Sequence, residues 1–233
     1  MKMAIMQPYF FPYLGYFQLL KAANKFVLYD DVTFIKGGWI NRNRILVHDT
    51  EYLFTVPLAN AGSNTLIKDL QVASHVDRWY RKMVKTLKES YKKAAFFNET
   101  LSLIEKSVPI NNKWFIDWLL ASHESIIDYL KMEVQLLKCS DIYSSSKHDR
   151  ASRLMEICKK ENCQTYINLQ GGSHLYEKAA FEESGIELLF LKSRLPYYRQ
   201  FNNEFVPGLS IIDVLMFNPP DIINEYLCSY DLI

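Results

Sequence analysis

The first thirty residues constrain the fold more than any other stretch. Lys2 to Met6 is a short apolar run that stops at Gln7-Pro8, and Pro8 and Pro12 bar the next residues from a central strand. From Tyr13 to Ala23, the residues Leu14, Phe17, Leu19, Leu20 and Ala23 recur at near-helical spacing. Lys25 to Tyr29 is strand-like again and ends in Asp30-Asp31. Strand, helix and strand in so short a span read as a parallel βαβ unit, because parallel neighbours need a crossover between them.

The rest of the chain extends this pattern. Val32 to Ile35 is followed by the Gly37-Gly38 break. Arg42 to Val47 and Tyr52 to Val56 then flank His48-Asp49-Thr50 as a hairpin that Pro57 ends. Ala59 to Asn64 reads as an exposed loop. The spacing predicts helices over 75–93, 95–107 and 111–130, with Trp79, Trp114 and Trp118 on apolar faces. The final third alternates: strand 134–137, helix 149–161, strand 165–169, a Gly-Gly loop, a helix near 174–184, strand 186–191 and a helix after Ser210. Pro219-Pro220 interrupts the C-terminal segment. Strands alternating with helices at both ends predict an α/β fold with a mostly parallel sheet in a three-layer sandwich, as one domain over 1–233 with a helical insertion at 75–130.

Composition narrows the function classes. With 49% hydrophobic and 23% charged residues, the chain is neither disordered nor a coiled coil. The formal charge of +1 gives no global reason to expect nucleic acid or acidic lipid. The helix at 75–93 carries seven basic residues against two acidic ones, but aromatic residues are not interleaved on that face, and a solvated stripe is the plainer reading. Cys139, Cys158, Cys163 and Cys228 form no CxxC pair and have no His at zinc-ligand spacing, so reduced thiols and no metal site are expected. The N-terminal apolar run is too short for a signal peptide or a membrane span, as are the later ones, and a cytoplasmic protein is expected. What stands out is the aromatic content, 14%, crowded in the N-terminal loop.

Four constellations can carry chemistry. The run Met6 to Phe17 sits where a strand turns into a helix, the place where doubly wound sheets bind ligands. Its rings can stack on a base or a sugar face, or can form a rigid corner of the core. Asp30-Asp31 can hold a divalent cation, orient sugar hydroxyls or accept a proton. Lys36, Trp39, Arg42 and Arg44 follow; in a strand the two arginines share one face and can clamp a diphosphate, while Asn41 and Asn43 take the other. A salt-bridged surface hairpin fits the same spacing. The loop Gln170-Gly171-Gly172-Ser173 can hold an anion at a helix start, or be a plain glycine turn, since it lacks a full phosphate-loop pattern. Finally, Tyr198 and Gln200 precede Ser210 and Asp213, a helix N-cap and capping-box variant. His148 and His174 stand near predicted helix starts as a possible base or as ordinary surface residues.

The run Gln7 to Phe17, then Asp30-Asp31-Val32, Lys36, Trp39 and Asn41 to Ile45, resembles the WbqC-like family. The late residues fit as well: Gly171-Gly172 with Tyr176, Tyr198 and Gln200, and Leu209 to Asp213. The resemblance implies a cytosolic transferase of bacterial cell-surface polysaccharide (O-antigen) biosynthesis, giving acyl or aminoacyl (glycyl) decoration of an amino sugar. It names no cofactor and no catalytic residue. In topology the chain is similar to Rossmann-like and nucleotidylyltransferase-like folds, with Tyr13 and Tyr16 standing where the latter carry a histidine pair.

The expected function is therefore acyl or aminoacyl transfer to a nucleotide-activated amino sugar. Gln7, Tyr9, Tyr13 and Trp39 would shape the pocket, Arg42 and Arg44 would neutralise the diphosphate, and Gly171 to Ser173 would hold a second anion. Asp31 would act as general base, oriented by Asp30. A metal-dependent glycosyltransferase or nucleotidylyltransferase-like enzyme, and a non-enzymatic scaffold of a polysaccharide assembly complex, are the alternatives.

Overall fold

The computed structural model describes residues 1–59, 61–62, 64–143, 149–201 and 204–233. β1 (Lys2–Met6), α1 (Leu14–Ala22) and β2 (Lys25–Leu28) form the expected unit. The strands pair in parallel, with Met3 opposite Lys25 and Met6 opposite Leu28. The chain next leaves this sheet for the antiparallel hairpin of β3 (Arg42–Val47) and β4 (Thr50–Thr55). Its two turn residues, His48 and Asp49, have φ of 51° and 61°. Positive φ at both is what the primed two-residue turns need to match strand twist.

The short pair β5 (Leu58–Ala59) and β6 (Gln71–Val72) leads to α2 (Val76–Tyr91), α3 (Phe97–Ser107) and α4 (Phe115–Tyr129), and β7 (Gln135–Lys138) then joins β2 in parallel. After α5 (Cys139–Ile142) and α6 (Arg150–Lys160), β8 (Thr165–Leu169) pairs with the opposite side of β1. α7 (Lys178–Glu183), β9 (Glu187–Ser193), α8 (Ile211–Phe217), α9 (Pro220–Leu227) and β10 (Tyr230–Leu232) complete the chain.

The result is an α/β fold around a six-stranded sheet of order β10-β9-β8-β1-β2-β7. All pairs are parallel except β9 with β10. From β1 the chain builds outward on one side through β2 and β7, and on the other through β8 and β9. The carboxyl ends of β1 and β8 therefore flank the point where the winding reverses, and such a reversal opens a crevice.

Strand periodicity assigns the core. Met3, Ile5, Val27 and Tyr166 pack on one face with Leu154, Ile157 and Cys158 of α6 and Phe181 of α7. Ala4, Phe26, Leu28 and Ile167 pack on the other with Phe17 and Leu20 of α1, Trp118 and Ile126 of α4, and Ile223 and Leu227 of α9. Helices thus cover both faces, and each fully buried Leu or Phe contributes roughly 1.5–3 kcal/mol. No helix among the described residues is long and apolar enough to cross a membrane.

β10 is an element that residue spacing does not announce. Val32 to Ile35 runs through one isolated bridge, Thr33 with Leu66. Two local expectations are corrected. Trp114 precedes α4 and is 37% exposed, with the Lys113 ammonium over its ring, so it is not core. Gln170–Leu175 is a 3-10 helix rather than a glycine turn, and α7 begins only at Lys178.

His123, on the inner face of α4, is fully buried among Tyr16 and Phe17, with Nδ1 2.6 Å from the Leu119 carbonyl oxygen. Burial lowers its pKa from 6.5 to about 4. The unfolded chain then binds the extra proton first, so this contribution is whole above pH 6.5 and is lost as pH falls towards 4. Relative to His123→Phe, the wild type should lose up to about 3 kcal/mol across that window, measured by urea unfolding at a series of pH values. A stability difference that stays flat with pH contradicts this.

Candidate functional site

The loop after β1 is held from two sides. The Phe11 carbonyl accepts hydrogen bonds from Asn43 Nδ2 at 2.7 Å and Ser210 Oγ at 2.6 Å. Around them, the Phe10 N–H donates to Ile40 O, and the Ile211 N–H to Pro12 O. Phe11 itself has φ of 43°, a left-handed conformation that is rare for a bulky residue and costs about 1–3 kcal/mol. The turn drives Phe10 and Phe11 into the core, Phe10 lying against Phe54, Phe115 and Trp118. Tyr16 is also fully buried and donates to the Gln7 carbonyl at 3.0 Å. Of the aromatic residues in this loop, only Tyr9 and Tyr13 reach the cleft.

The segment entering β3 alternates as its period requires. Asn41 and Asn43 are buried, donating to Val56 O at 2.8 Å and to Phe11 O. Arg42 and Arg44 take the other face, and their guanidinium carbons lie 5.4 and 5.2 Å from the centre of the half-exposed Trp39 ring. Arg42 is bonded to the Gly37 carbonyl. Arg44 bonds Glu51 at 2.9 Å and Gly208 O at 3.2 Å.

Above the ends of β1 and β8 lies a cleft of two lobes. One, about 380 Å³, is lined by Tyr9, Tyr13, Trp39, Asn43, Arg44 and Leu195 among others. The other, about 360 Å³, is lined by Gln7, Tyr9, Tyr29, Arg150, Asn168, Gly171, Gly172 and Tyr176 among others. Both include Met6, Tyr9 and Leu169, and the described residues lining them include no Asp or Glu. Burial, reinforced by Tyr13 nearby, pushes the Tyr9 phenol up to about 12, and burial also raises Tyr13. At neutral pH both phenols are therefore protonated donors.

Other expected site residues do not line the cleft. Asp30 is fully buried and accepts from the Ser140 N–H at 2.8 Å and the Ser140 hydroxyl, tying β2 to α5; burial raises its pKa against these bonds. Asp31 is buried too and forms an ion pair with Arg153 of α6. The two carboxylates serve different partners, so they do not present a paired site for a divalent cation, and Asp31 does not stand free as a base. Arg153 in turn lies 5.1 Å over the Tyr29 ring, whose other contacts include the cleft.

Lys36 and Ser173 are exposed without lining either lobe, and Arg42 is present only through Trp39. Tyr198 and Gln200 donate to Asp213 Oδ1 at 2.6 and 2.8 Å, and Tyr91 to its Oδ2 at 2.8 Å. Ser210 does cap α8 through the Ile212 N–H, but Asp213 turns inward to this buried network rather than back to the cap. His174 is exposed in the 3-10 helix, and His148 lies outside the described residues. Arg150 and Asn168 escaped the sequence reading. Asn168 left a signal, as a polar residue near the end of an otherwise apolar strand.

The fold and the cleft define an α/β protein with a two-lobed cavity at the carboxyl edge of its sheet. Its sequence matches the profile of the WbqC-like protein family over residues 7–225, and the chain belongs to that family. It is 26% identical over 231 residues to the uncharacterized protein Rv1507c of Mycobacterium tuberculosis (strain ATCC 25618 / H37Rv), covering 97% of each chain. No solved structure matches it.

Glycine tests how tightly the cleft is built. A Cβ on Gly15 would stand 2.4 Å from the Tyr13 ring and 2.6 Å from Ser193 Oγ, whereas one on Gly171 meets nothing within 4 Å. Gly15→Ala should cost about 1–3 kcal/mol by overpacking, and Gly171→Ala less than about 0.5, read from denaturant midpoints. Asp31→Ala strands a buried guanidinium and should cost about 3–5 kcal/mol. An Asp31→Ala variant as stable as the wild type would return that carboxylate to a purely chemical role.

Proposed function

We propose that the protein is a transferase of bacterial cell-surface polysaccharide assembly that binds a nucleotide-activated amino sugar and acylates or aminoacylates its amine. The observation that carries the reading is the convergence of Tyr9, Tyr13, Trp39 and Arg44 on one lobe at the reversal of the sheet. The WbqC-like family, by its name, suggests the pathway. In this reading the strand order is Rossmann-like, and Arg44, held over Trp39 by Glu51 and the Gly208 carbonyl, offers the diphosphate one charge-assisted hydrogen bond. The indole and phenols face the sugar or base. Asp31 acts as a positioning residue, through Arg153 and Tyr29.

A nucleotidylyl transfer of the histidine-pair type is less well supported, since of Tyr13 and Tyr16 only the former reaches the cleft. Calorimetric titration with uridine diphosphate glucosamine, whose amine is free, tests the proposal. Binding is expected to weaken about tenfold in Arg44→Ala, the loss of one charge-assisted bond, and to be unaffected by chelation of divalent cations. If no nucleotide sugar binds, the reading fails; if chelation abolishes binding, the cation-dependent glycosyltransferase takes its place.

A further inference from the structure

The two lobes are joined but differ in chemistry. They meet over Met6 and Leu169, with Tyr9 reaching both. The hairpin lobe presents an indole, an amide and a guanidinium. The lobe beside α6 sets the aliphatic side chains Ile35, Leu154 and Leu175 beside polar groups of Gln7, Asn168 and Tyr176, and the cation among its described residues is Arg150, whose guanidinium lies by the Tyr176 phenol. Ile35 and Leu175 are 56% and 46% exposed, so large apolar side chains face solvent across this lobe. Aliphatic side chains on the wall of a cavity, with one cation and no acidic group among the described lining residues, complement an anion that has an apolar body.

We infer that the lobe beside α6 is a separate subsite for the second reactant, an anion with an apolar body. Arg150 holds its charged end, and Ile35, Leu154 and Leu175 flank the rest. The inference rests on the reading of the hairpin lobe as the nucleotide-sugar site. With one reactant in each lobe, their facing ends meet above Met6 and Leu169, beside the Tyr9 phenol.

Octanoate, a carboxylate on an unbranched apolar chain, is the probe, titrated calorimetrically into the full chain with and without saturating uridine diphosphate glucosamine. Octanoate should bind equally well in both cases. Arg150→Gln should weaken octanoate about tenfold and leave the nucleotide sugar unchanged, and Arg44→Ala should do the reverse. Arg150 is exposed, so neither Arg150→Gln nor the charge-keeping Arg150→Lys should alter the melting temperature, and Arg150→Lys should restore much of the octanoate affinity. Competition between the two probes, absence of octanoate binding, or an affinity indifferent to Arg150→Gln overturns the subsite. If octanoate binds through Arg150 while no nucleotide sugar binds, the subsite stands and the reading of the hairpin lobe falls.

Discussion

The carbonyl of Phe11 is the point on which the cleft depends. Asn43 and Ser210, 32 and 199 residues away in sequence, both donate to it. A buried carbonyl with two side-chain donors can hold a backbone conformation that a lone phenylalanine would leave. That conformation sends Phe10 and Phe11 inward and leaves Tyr9 and Tyr13 outward. The same bonds tie the loop after β1 to the hairpin and to the start of α8, so three distant segments fix the floor and one wall of the site together.

Charge is arranged by the same logic. The buried acids Asp30, Asp31 and Asp213 are each met by donors from a different element: Ser140, Arg153, and the group Tyr91, Tyr198 and Gln200. A buried charge is tolerable only when partnered, and breaking one such pair costs far more than the pair gains. These acids hold elements in register around the cleft, while the described residues of its lining bring arginines and phenols, Arg44 being paired with Glu51 outside it. The formal charge of +1 conceals this local asymmetry.

Much of the architecture was legible because it rests on local periodicity. The βαβ start, the hairpin with its His48-Asp49 turn and the amphipathic α2 follow from residue spacing alone. The alternation of Asn41, Arg42, Asn43 and Arg44 placed the arginines on one face correctly. What escaped depends on contacts between distant segments. β10 exists because β9 offers an edge, which no three-residue stretch announces. Asp213 has capping-box spacing, yet three buried donors outcompete the cap. Asp30-Asp31 reads as a chemical pair until the partners from α5 and α6 are seen. The aromatic loop mixed both roles, and only the strained turn at Phe11 separates core rings from cleft rings.

The direct test is nucleotide-sugar affinity in Ser210→Ala. Ser210 is fully buried and does not line the cleft; its hydroxyl donates to the Phe11 carbonyl and caps α8 through the Ile212 N–H. Removing its hydroxyl should leave the protein folded, at a cost of about 1–3 kcal/mol, and should weaken binding of uridine diphosphate glucosamine as the loop relaxes. A folded Ser210→Ala protein that binds the nucleotide sugar as tightly as the wild type would contradict the account.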